Sequence, residues 1–291
     1  MRWEGNDQSD NVEDRRGMGG GGGGFPIGGR SIGLGTVAVA VVAGWLFGIN
    51  PLTLLGLLSG GGSPVVQQQQ APAHAPRNDR ETAFVRTVLR NTEVVWGEVF
   101  REGGAQYRAP TLVLFDNSTP TACGTGQSAM GPFYCPGDSK VYIDLRFYDT
   151  LRDRLGAPGE FAQAYVIAHE VGHHVQHLLG ITDKVDAMRR RQNETQANAT
   201  SVRVELQADC FAGVWAQRSQ ESKQWLDPSD IAAAMNAAEK IGDDALQRSA
   251  GRAVVPDSFT HGSSAQRQRW FMNGYKSGQV KACDTFNATT L

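Results

Sequence analysis

The sequence predicts an α+β domain preceded by one transmembrane helix, and three observations support this fold class. No charged residue occurs from Ser31 to Pro76, although 20% of the whole chain is charged. Short apolar or alternating runs, typical of strands, follow between about residues 110 and 145. Beyond Phe161 the apolar spacing is mainly helical. Strands followed by helices are typical of α+β proteins, whereas a regular alternation of the two would indicate an α/β fold.

Composition separates a short N-terminal part from the rest of the 291 residues. About half of the 35 glycines fall in residues 1–62, and the others are spread at a density ordinary for a folded domain. Residues 81–291 are long enough for one substantial core and are expected to form a single domain. The 28 basic and 30 acidic side chains give a net charge of −2. This balance excludes the basic surface that nucleic-acid binding requires, so no nucleic-acid partner is expected.

Residues 31–58 are predicted to form a membrane anchor. The apolar run from Ile32 to Ile49 rises about 27 Å as a helix, close to the roughly 30 Å of bilayer hydrocarbon. Asn50-Pro51 interrupts this run, and Leu52 to Leu58 either extends the span or lies at the interface. The alternative is a cleaved signal peptide. We favour a retained anchor, because the apolar region of a signal peptide is normally about 7–15 residues long and this run is longer and starts late.

The residues on either side of the anchor predict its orientation. Arg15, Arg16 and Arg30 precede it, and no Lys or Arg follows it until Arg77. Because basic flanks stay in the cytoplasm, residues 1–30 are expected to be a disordered, glycine-rich cytoplasmic tail. Residues 59–80 are rich in Gly, Pro and Gln and are expected to be a flexible linker. The domain would then lie outside the cytoplasm, in the periplasm or at the cell surface.

Within the domain, apolar spacing and end signals predict each element in order. Gly103-Gly104 and Gly180 are plausible ends for two of the helices, and Gly-Pro turns flank Phe133 and Tyr134 between the strands. The predicted elements are a helix over residues 82–102, strands over 111–115 and 140–145, a helix over 161–180 and a helix over about 196–218.

All four cysteines, Cys123, Cys135, Cys210 and Cys283, lie in the domain. In an oxidising compartment an even number favours disulfides. Cys123–Cys135 is the expected local pair, which leaves Cys210–Cys283 to hold the C-terminal segment. A zinc ribbon would require CxxC spacings, which the sequence lacks.

The first predicted long helix after the strands contains His169-Glu170-Val171-Gly172-His173, an HExxH pattern. A spacing of four places both imidazoles on one helical face about 6 Å apart, so that one divalent metal can lie between them. Glu170 then lies beside the open coordination position. Such a pattern arises by chance in roughly 1% of chains this long, so its context decides between a metal site and a coincidence.

That context comes from Glu205 and Asp209, which are again four residues apart, on the next predicted helix. The rest of this helix offers apolar side chains to a core, which makes a solvated acidic face a poor explanation for the pair. A catalytic zinc site needs a third protein ligand and a carboxylate that holds a ligand imidazole. Glu205 and Asp209 are the predicted residues for these two roles.

The quoted motifs also carry a resemblance. HEVGHHVQ followed by ELQAD is similar to the gluzincin peptidases. Together, GPFYCPGDSKVYIDLRFY, YVIAHEVGHHVQ, ELQADCFAGVWA and FTHGSSAQRQRWFMNGY resemble a bacterial family of neutral zinc metallopeptidases with one membrane anchor, over roughly residues 80–286.

The resemblance implies a zincin-like domain with a small mixed sheet and a helical active-site region. It implies Zn²⁺ bound by His169, His173 and Glu205, Asp209 as the supporting aspartate, and a peptide or protein substrate. The gap between His173 and Glu205 is longer than in the best-known gluzincins, and a loop over Thr182 to Thr195 is expected to fill it.

The remaining histidines have alternative interpretations. A metzincin would need Gly and His where Gln176 and Leu179 stand, so that family is excluded. His177 shares the face of the ligand pair but lies too far along the helix for one metal, and His174 is expected to be structural. His261 is either a loop or core histidine or a donor to the oxyanion, with Tyr134 as a weaker alternative donor.

The predicted reaction is peptide-bond hydrolysis, with Zn²⁺ activating a water and Glu170 as the base. The alternatives are a non-catalytic zinc-binding envelope or partner-binding protein and a metal-dependent hydrolase of other substrates. A structural zinc site is usually closed by four protein ligands, which argues against the first alternative. The sequence leaves the substrate, the cleavage preference and the oligomeric state open.

Overall fold

A computed structural model describes residues 1–17 and 79–291. These residues form an α+β structure, as the sequence predicts, and contain two small sheets and eight α-helices. In chain order the elements are β1 (Val12–Asp14), α1 (Arg80–Glu102), β2 (Thr111–Leu114), β3 (Ser118–Thr121), β4 (Gly124–Gln127), β5 (Phe133–Cys135), β6 (Lys140–Ile143), α2 (Arg146–Asp149), α3 (Glu160–Leu178), α4 (Ile181–Arg189), α5 (Glu194–Lys223), α6 (Pro228–Lys240), α7 (Asp243–Ser249) and α8 (Ser264–Ser277).

The main sheet is small and mixed, in the order β1-β2-β6-β5. Strands β1, β2 and β6 are parallel, and β5 is an antiparallel edge strand. Alternation along β2 sends Leu112 and Leu114 into the core shared with the helices and sends Val113 to a smaller cluster on the opposite face. Strands β3 and β4 form a separate hairpin.

Helix α3 is the centre of the helical part and is buried along most of its length. It packs against α5, α6 and α1, and α5 packs in turn against α8. At the start of α1, the Asp79 carboxylate accepts the Thr82 N–H at 2.8 Å and caps the helix. Asp79 and Arg80 therefore belong to the domain, although the linker predicted from the sequence, residues 59–80, includes both.

The expectation of a disordered tail is wrong for residues 1–17. Strand β1 pairs with β2, and Trp3 is buried against Phe84 with ring centroids 5.3 Å apart. Ser9 and Asn11 donate to the buried Glu93 carboxylate at 2.6 and 2.7 Å. These residues are ordered because their few apolar and hydrogen-bonding side chains fit the domain surface. The sequence did not indicate this order, because the glycine run that follows dominates the composition of residues 1–30.

None of the helices within residues 1–17 and 79–291 is long and apolar enough to cross a membrane. The predicted anchor over residues 31–58, and the linker up to residue 78, lie outside the described residues. Both stay predictions from the sequence.

The segment between the two site helices also differs from the expectation. The predicted loop over residues 182–195 contains helix α4, which buries Val185. Arg189 donates to Ser201 at 2.6 Å and so ties α4 to α5. The sequence missed this helix because it is short and presents little apolar surface.

Both predicted disulfides are confirmed. Cys123–Cys135 joins the β3–β4 hairpin to β5, and Cys210–Cys283 joins α5 to the C-terminal turn. The second bond brings residues 73 apart in sequence together beside the predicted metal site.

Candidate metal centre

The predicted metal ligands come from two helices that approach closely. His169 and His173 lie on α3, and Glu205 lies on α5. Gly172 permits the approach, because a Cβ at this position would lie 3.0 Å from the Ala208 carbonyl oxygen and 3.1 Å from its Cα. The glycine inside the HExxH pattern therefore brings the carboxylate of α5 within reach of both imidazoles.

The three side chains form a cluster with the dimensions of a zinc site. Glu205 Oε2 lies 3.1 Å from His169 Nε2 and 3.5 Å from His173 Nε2. One ligand atom from each residue lies within 4.8 Å of the other two, and no other such group of three occurs in the part of the chain that the structure describes. A tetrahedral zinc with bonds of about 2.0–2.2 Å separates neighbouring ligand atoms by about 3.3 Å. The cluster fits this requirement.

Asp209, the carboxylate proposed from the sequence to hold a ligand imidazole, lies against His169. The Nδ1–H of His169 donates to Asp209 Oδ1 at 2.8 Å, which leaves Nε2 facing Glu205. Arg267 binds the same carboxylate through Nε at 2.8 Å and Nη2 at 2.9 Å, and the Tyr165 hydroxyl donates to it as well. Burial opposes ionisation of this carboxyl, but Arg267 and His169 lower the pKa of Asp209 to about 2. It is therefore a permanent acceptor.

Gln176 orients the second imidazole. Its Nε2 donates to the Val204 carbonyl at 2.7 Å, so its Oε1 faces His173 and accepts from Nδ1–H at 2.9 Å. Both histidines therefore direct an Nε2 lone pair at the Glu205 carboxylate. Two imidazole nitrogens and a carboxylate oxygen, all of them acceptors, therefore face one another. This arrangement is stable only with a cation or a proton between them.

The charges around this position favour a cation. Burial lowers the pKa of His169, but Asp209 and Glu205 more than offset this and raise it to about 10. A divalent metal supplies the positive charge that these carboxylates attract, and it needs both imidazoles unprotonated. Two imidazole nitrogens and one carboxylate are ligands that zinc prefers.

Glu170 is buried beside the ligands, with 7% of its surface exposed. Burial raises its pKa, and the nearby Glu205 carboxylate acts in the same direction, whereas His169 and His173 oppose them. A carboxylate with a raised pKa holds a proton more readily than a free one, so it can take a proton from a water and pass it on. This suits the base role predicted for Glu170.

His261 lies on the loop between α7 and α8, outside the ligand cluster. One oxygen of Asp243 accepts the backbone N–H groups of Thr260, His261 and Gly262 at 2.8, 2.7 and 3.0 Å. A Cβ at Gly262 would lie 3.2 Å from Leu206, so this loop lies against the turn of α5 that carries Glu205. The imidazole is 51% exposed, and its Nδ1 lies 3.4 Å from the other Asp243 oxygen. Against burial, Asp243 and Glu205 raise the pKa of His261.

The other candidates have structural partners. Burial lowers the pKa of His174 to about 4; its Nε2 donates to the Arg108 carbonyl, and its Nδ1 accepts from the Tyr134 hydroxyl at 3.0 Å. Tyr134 is therefore already engaged. His177 packs against the Tyr134 ring and is not part of the ligand cluster. Asp144 accepts from Ser128, Arg146 and the Asn117 N–H, so it organises a turn.

The site residues predicted from the sequence do not include Arg267, Tyr165, Gln176 and Asp243. Tyr165 lies one helical turn before His169, and Gln176 lies three residues after His173, so both share the ligand face of α3. That spacing could have indicated them. Arg267 and Asp243 come from distant segments, and only the packing of α7 and α8 on the site brings them close.

Comparison with known proteins agrees with this geometry. The family model described as "Putative neutral zinc metallopeptidase" matches residues 1–286. The uncharacterized protein YpfJ of Escherichia coli K12 is 50% identical over 290 residues, covering 98% of this chain and 99% of its own. The uncharacterized protein Rv2575 of Mycobacterium tuberculosis is 44% identical over 195 residues, covering 64% and 65%. No solved structure matches. The family implies Zn²⁺ as the cofactor, and the ligand cluster fits it. The chain belongs to the neutral zinc metallopeptidase family.

Proposed function

We propose that the protein is a zinc-dependent endopeptidase that hydrolyses peptide bonds with a zinc-activated water and Glu170 as the base. The observation that carries the proposal is a three-ligand cluster with a buried carboxylate beside it. Structural zinc sites are usually closed by four protein ligands, whereas catalytic sites keep the fourth position for water or substrate.

Each side chain has a defined task in this reaction. His169, His173 and Glu205 would hold the zinc, which would supply Lewis-acid chemistry to a water and to the scissile carbonyl. Glu170 takes the proton of the attacking water and delivers it to the leaving amine. Asp209 and Gln176 keep the ligand imidazoles in place. His261, held by Asp243, donates a hydrogen bond to the oxyanion from the neighbouring loop.

The substrate is proposed to bind in extended form along β5. This strand pairs with β6 on one side and is the edge of the main sheet. It lies along the zinc helix, since Tyr134 of β5 donates to His174 of α3 at 3.0 Å. An edge strand offers backbone groups to an added strand, which is a common way of binding peptides. The Phe133 to Leu145 region is therefore the proposed substrate-binding region.

The compartment stays a prediction. Two disulfides favour an oxidising environment outside the cytoplasm, in agreement with the location expected from the sequence. Attachment to a membrane through residues 31–58 also stays a prediction, but residues 1–17 are then expected on the same side as the domain and not in the cytoplasm, because β1 pairs with β2.

The proposed function is tested with the purified full chain and a broad peptide library read by mass spectrometry. The wild-type protein is expected to cleave peptides, to lose activity with a chelator and to regain it with zinc. Glu170→Gln is expected to keep one bound zinc and to lose activity by at least about 10²–10⁴-fold, because proton transfer from the water is lost.

Glu205→Gln serves as the matched control and is expected to lose zinc as well as activity. Hydrolysis retained in Glu170→Gln would contradict the mechanism. A wild-type protein that binds zinc but cleaves nothing in the library would favour the non-catalytic alternative.

A further inference from the structure

The two ligand histidines are oriented in different ways. His169 is held by a carboxylate, Asp209, whereas His173 is held by the side-chain amide of Gln176. A carboxylate only accepts, but an amide accepts at one end and donates at the other. Whether Gln176 presents its amide oxygen or its NH₂ group to His173 therefore depends on the other hydrogen bonds of Gln176. These hydrogen bonds connect it, through Gln207, to the C-terminal segment.

The hydrogen bonds of Gln176 and Gln207 have a single consistent direction. The Cys283 carbonyl can only accept, so Gln207 Nε2 donates to it, at 2.9 Å. The Oε1 of Gln207 then accepts from Gln176 Nε2 at 3.1 Å, and that same Nε2 donates to the Val204 carbonyl at 2.7 Å. The Oε1 of Gln176 is left for His173, whose Nδ1 must be the donor across their 2.9 Å contact. The Nε2 of His173 is then the nitrogen that faces the metal position.

This chain of amides is buried and anchored at its far end. Gln176 is 2% exposed, Gln207 is 6% exposed and Cys283 is 1% exposed, so solvent does not compete for these hydrogen bonds. The Cys210–Cys283 disulfide bonds the accepting segment to α5, three residues beyond Gln207. The Thr285 hydroxyl also donates to the Arg203 carbonyl at 2.6 Å, which holds the same segment against the helix.

We propose that Gln176 and Gln207 are positioning residues of the zinc centre. They form an amide relay that selects the His173 tautomer with Nε2 facing the metal, and the Cys210–Cys283 disulfide holds the end of that relay. The inference rests on the proposed zinc ligation by His169, His173 and Glu205. It assigns the C-terminal disulfide a role in metal affinity as well as in stability.

The test is a double-mutant cycle on the zinc Kd of the full chain, measured by competition with a chromophoric chelator. Gln176→Leu and Gln207→Leu are each expected to raise the Kd, about 10–100-fold for Gln176→Leu. Because Gln207 acts only through Gln176, the double variant is expected to bind zinc no more weakly than Gln176→Leu alone. Additive losses, or unchanged Kd values in both single variants, would overturn the relay.

Gln220→Leu is the matched control, because Gln220 lies on the same helix and hydrogen-bonds the Leu226 backbone without approaching the site. It is expected to lower thermal stability and to leave the zinc Kd unchanged. If Leu at position 207 prevents folding, Gln207→Met removes both the donor to Cys283 and the acceptor for Gln176 at nearly constant size and gives the same comparison.

The disulfide is tested with Cys210→Ala/Cys283→Ala. This pair is expected to weaken zinc binding in the wild-type background and to have no further effect on the Kd in Gln207→Leu. An equal loss in both backgrounds would show that the disulfide acts without the relay. A wild-type chain that binds no zinc would instead contradict the proposed function.

Discussion

Among single residues, the metal centre depends on a buried carboxylate, Asp209, whose oxygens are fully engaged by hydrogen-bond donors. Asp209 is fully buried and accepts from His169, Tyr165 and both ends of the Arg267 guanidinium fork. An ionised carboxylate without such partners would be costly inside the protein. Arg267 therefore keeps Asp209 an acceptor, and Asp209 in turn keeps the Nε2 of His169 free for the metal.

Replacing Arg267 tests this dependence. Arg267→Met is expected to raise the zinc Kd about 10–100-fold, because Asp209 loses the partner that keeps it ionised. Arg267→Lys restores the charge without the fork and is expected to give an intermediate Kd. Arg269→Met is the control, since Arg269 is exposed on the same helix and bonds only the C-terminal backbone. A wild-type Kd in Arg267→Met would show that Arg267 has no role at the site.

At the scale of elements, the site depends on how closely α5 and α8 approach, because these helices carry Asp209 and Arg267. A Cβ on Gly274 of α8 would lie 1.9 Å from the Cys210 carbonyl oxygen, and one on Gly213 of α5 would lie 2.0 Å from that of Phe271. Neither position can hold a side chain unless the helices separate. The two glycines therefore set the distance that allows Arg267 to reach Asp209.

Gly274→Ala is expected to destabilise the fold by about 1–3 kcal/mol or more and to weaken zinc binding, because the helices must move apart. Gly97→Ala is the control. A Cβ at Gly97 meets nothing within 4 Å, so alanine in the middle of α1 is expected to be neutral or slightly stabilising. Thermal unfolding and the zinc Kd of both variants check this. Equal behaviour of the two would contradict the close-packing argument.

These elements also show what the sequence could predict. The helices at residues 82–102 and 161–180 carry strong periodicity and clear end signals, and the structure places them within two residues of the predicted ends. The His169, His173 and Glu205 cluster followed from spacing on two helices. Contacts between segments far apart in the sequence bring Arg267, Asp243 and the Gln207 relay to the site. No local sequence pattern predicts such contacts. Strand β1 was missed because a strand of three residues gains its order only from its neighbour β2.

At the scale of the whole molecule, residues 1–17 and the domain form one folded unit. Arg16 lies 3.6 Å from Asp79 and donates to Thr82 at 2.8 Å, so the chain leaves the fold at residue 17 beside the point where it returns at residue 79. A single membrane crossing between these residues would place β1 and β2 on opposite sides of the bilayer. The sheet requires them on the same side.

We therefore predict that the N-terminal segment and the domain share one compartment. Gln8→Cys and Ser222→Cys place single thiols at exposed positions, and all four native cysteines are in disulfides. In sealed cells, a membrane-impermeant maleimide is expected to treat both variants alike, labelling both or neither before permeabilisation. Labelling of only one before permeabilisation would show that the predicted crossing is correct and that β1 does not pair with β2 in the cell.

Anomalous scattering at the zinc edge, from crystals of the full chain, can show whether His169, His173 and Glu205 form an open zinc centre. One peak is expected about 2.0–2.2 Å from the Nε2 atoms of His169 and His173 and from a Glu205 oxygen, with no fourth protein ligand. A peak elsewhere, or a fourth side chain closing the coordination sphere, would contradict it.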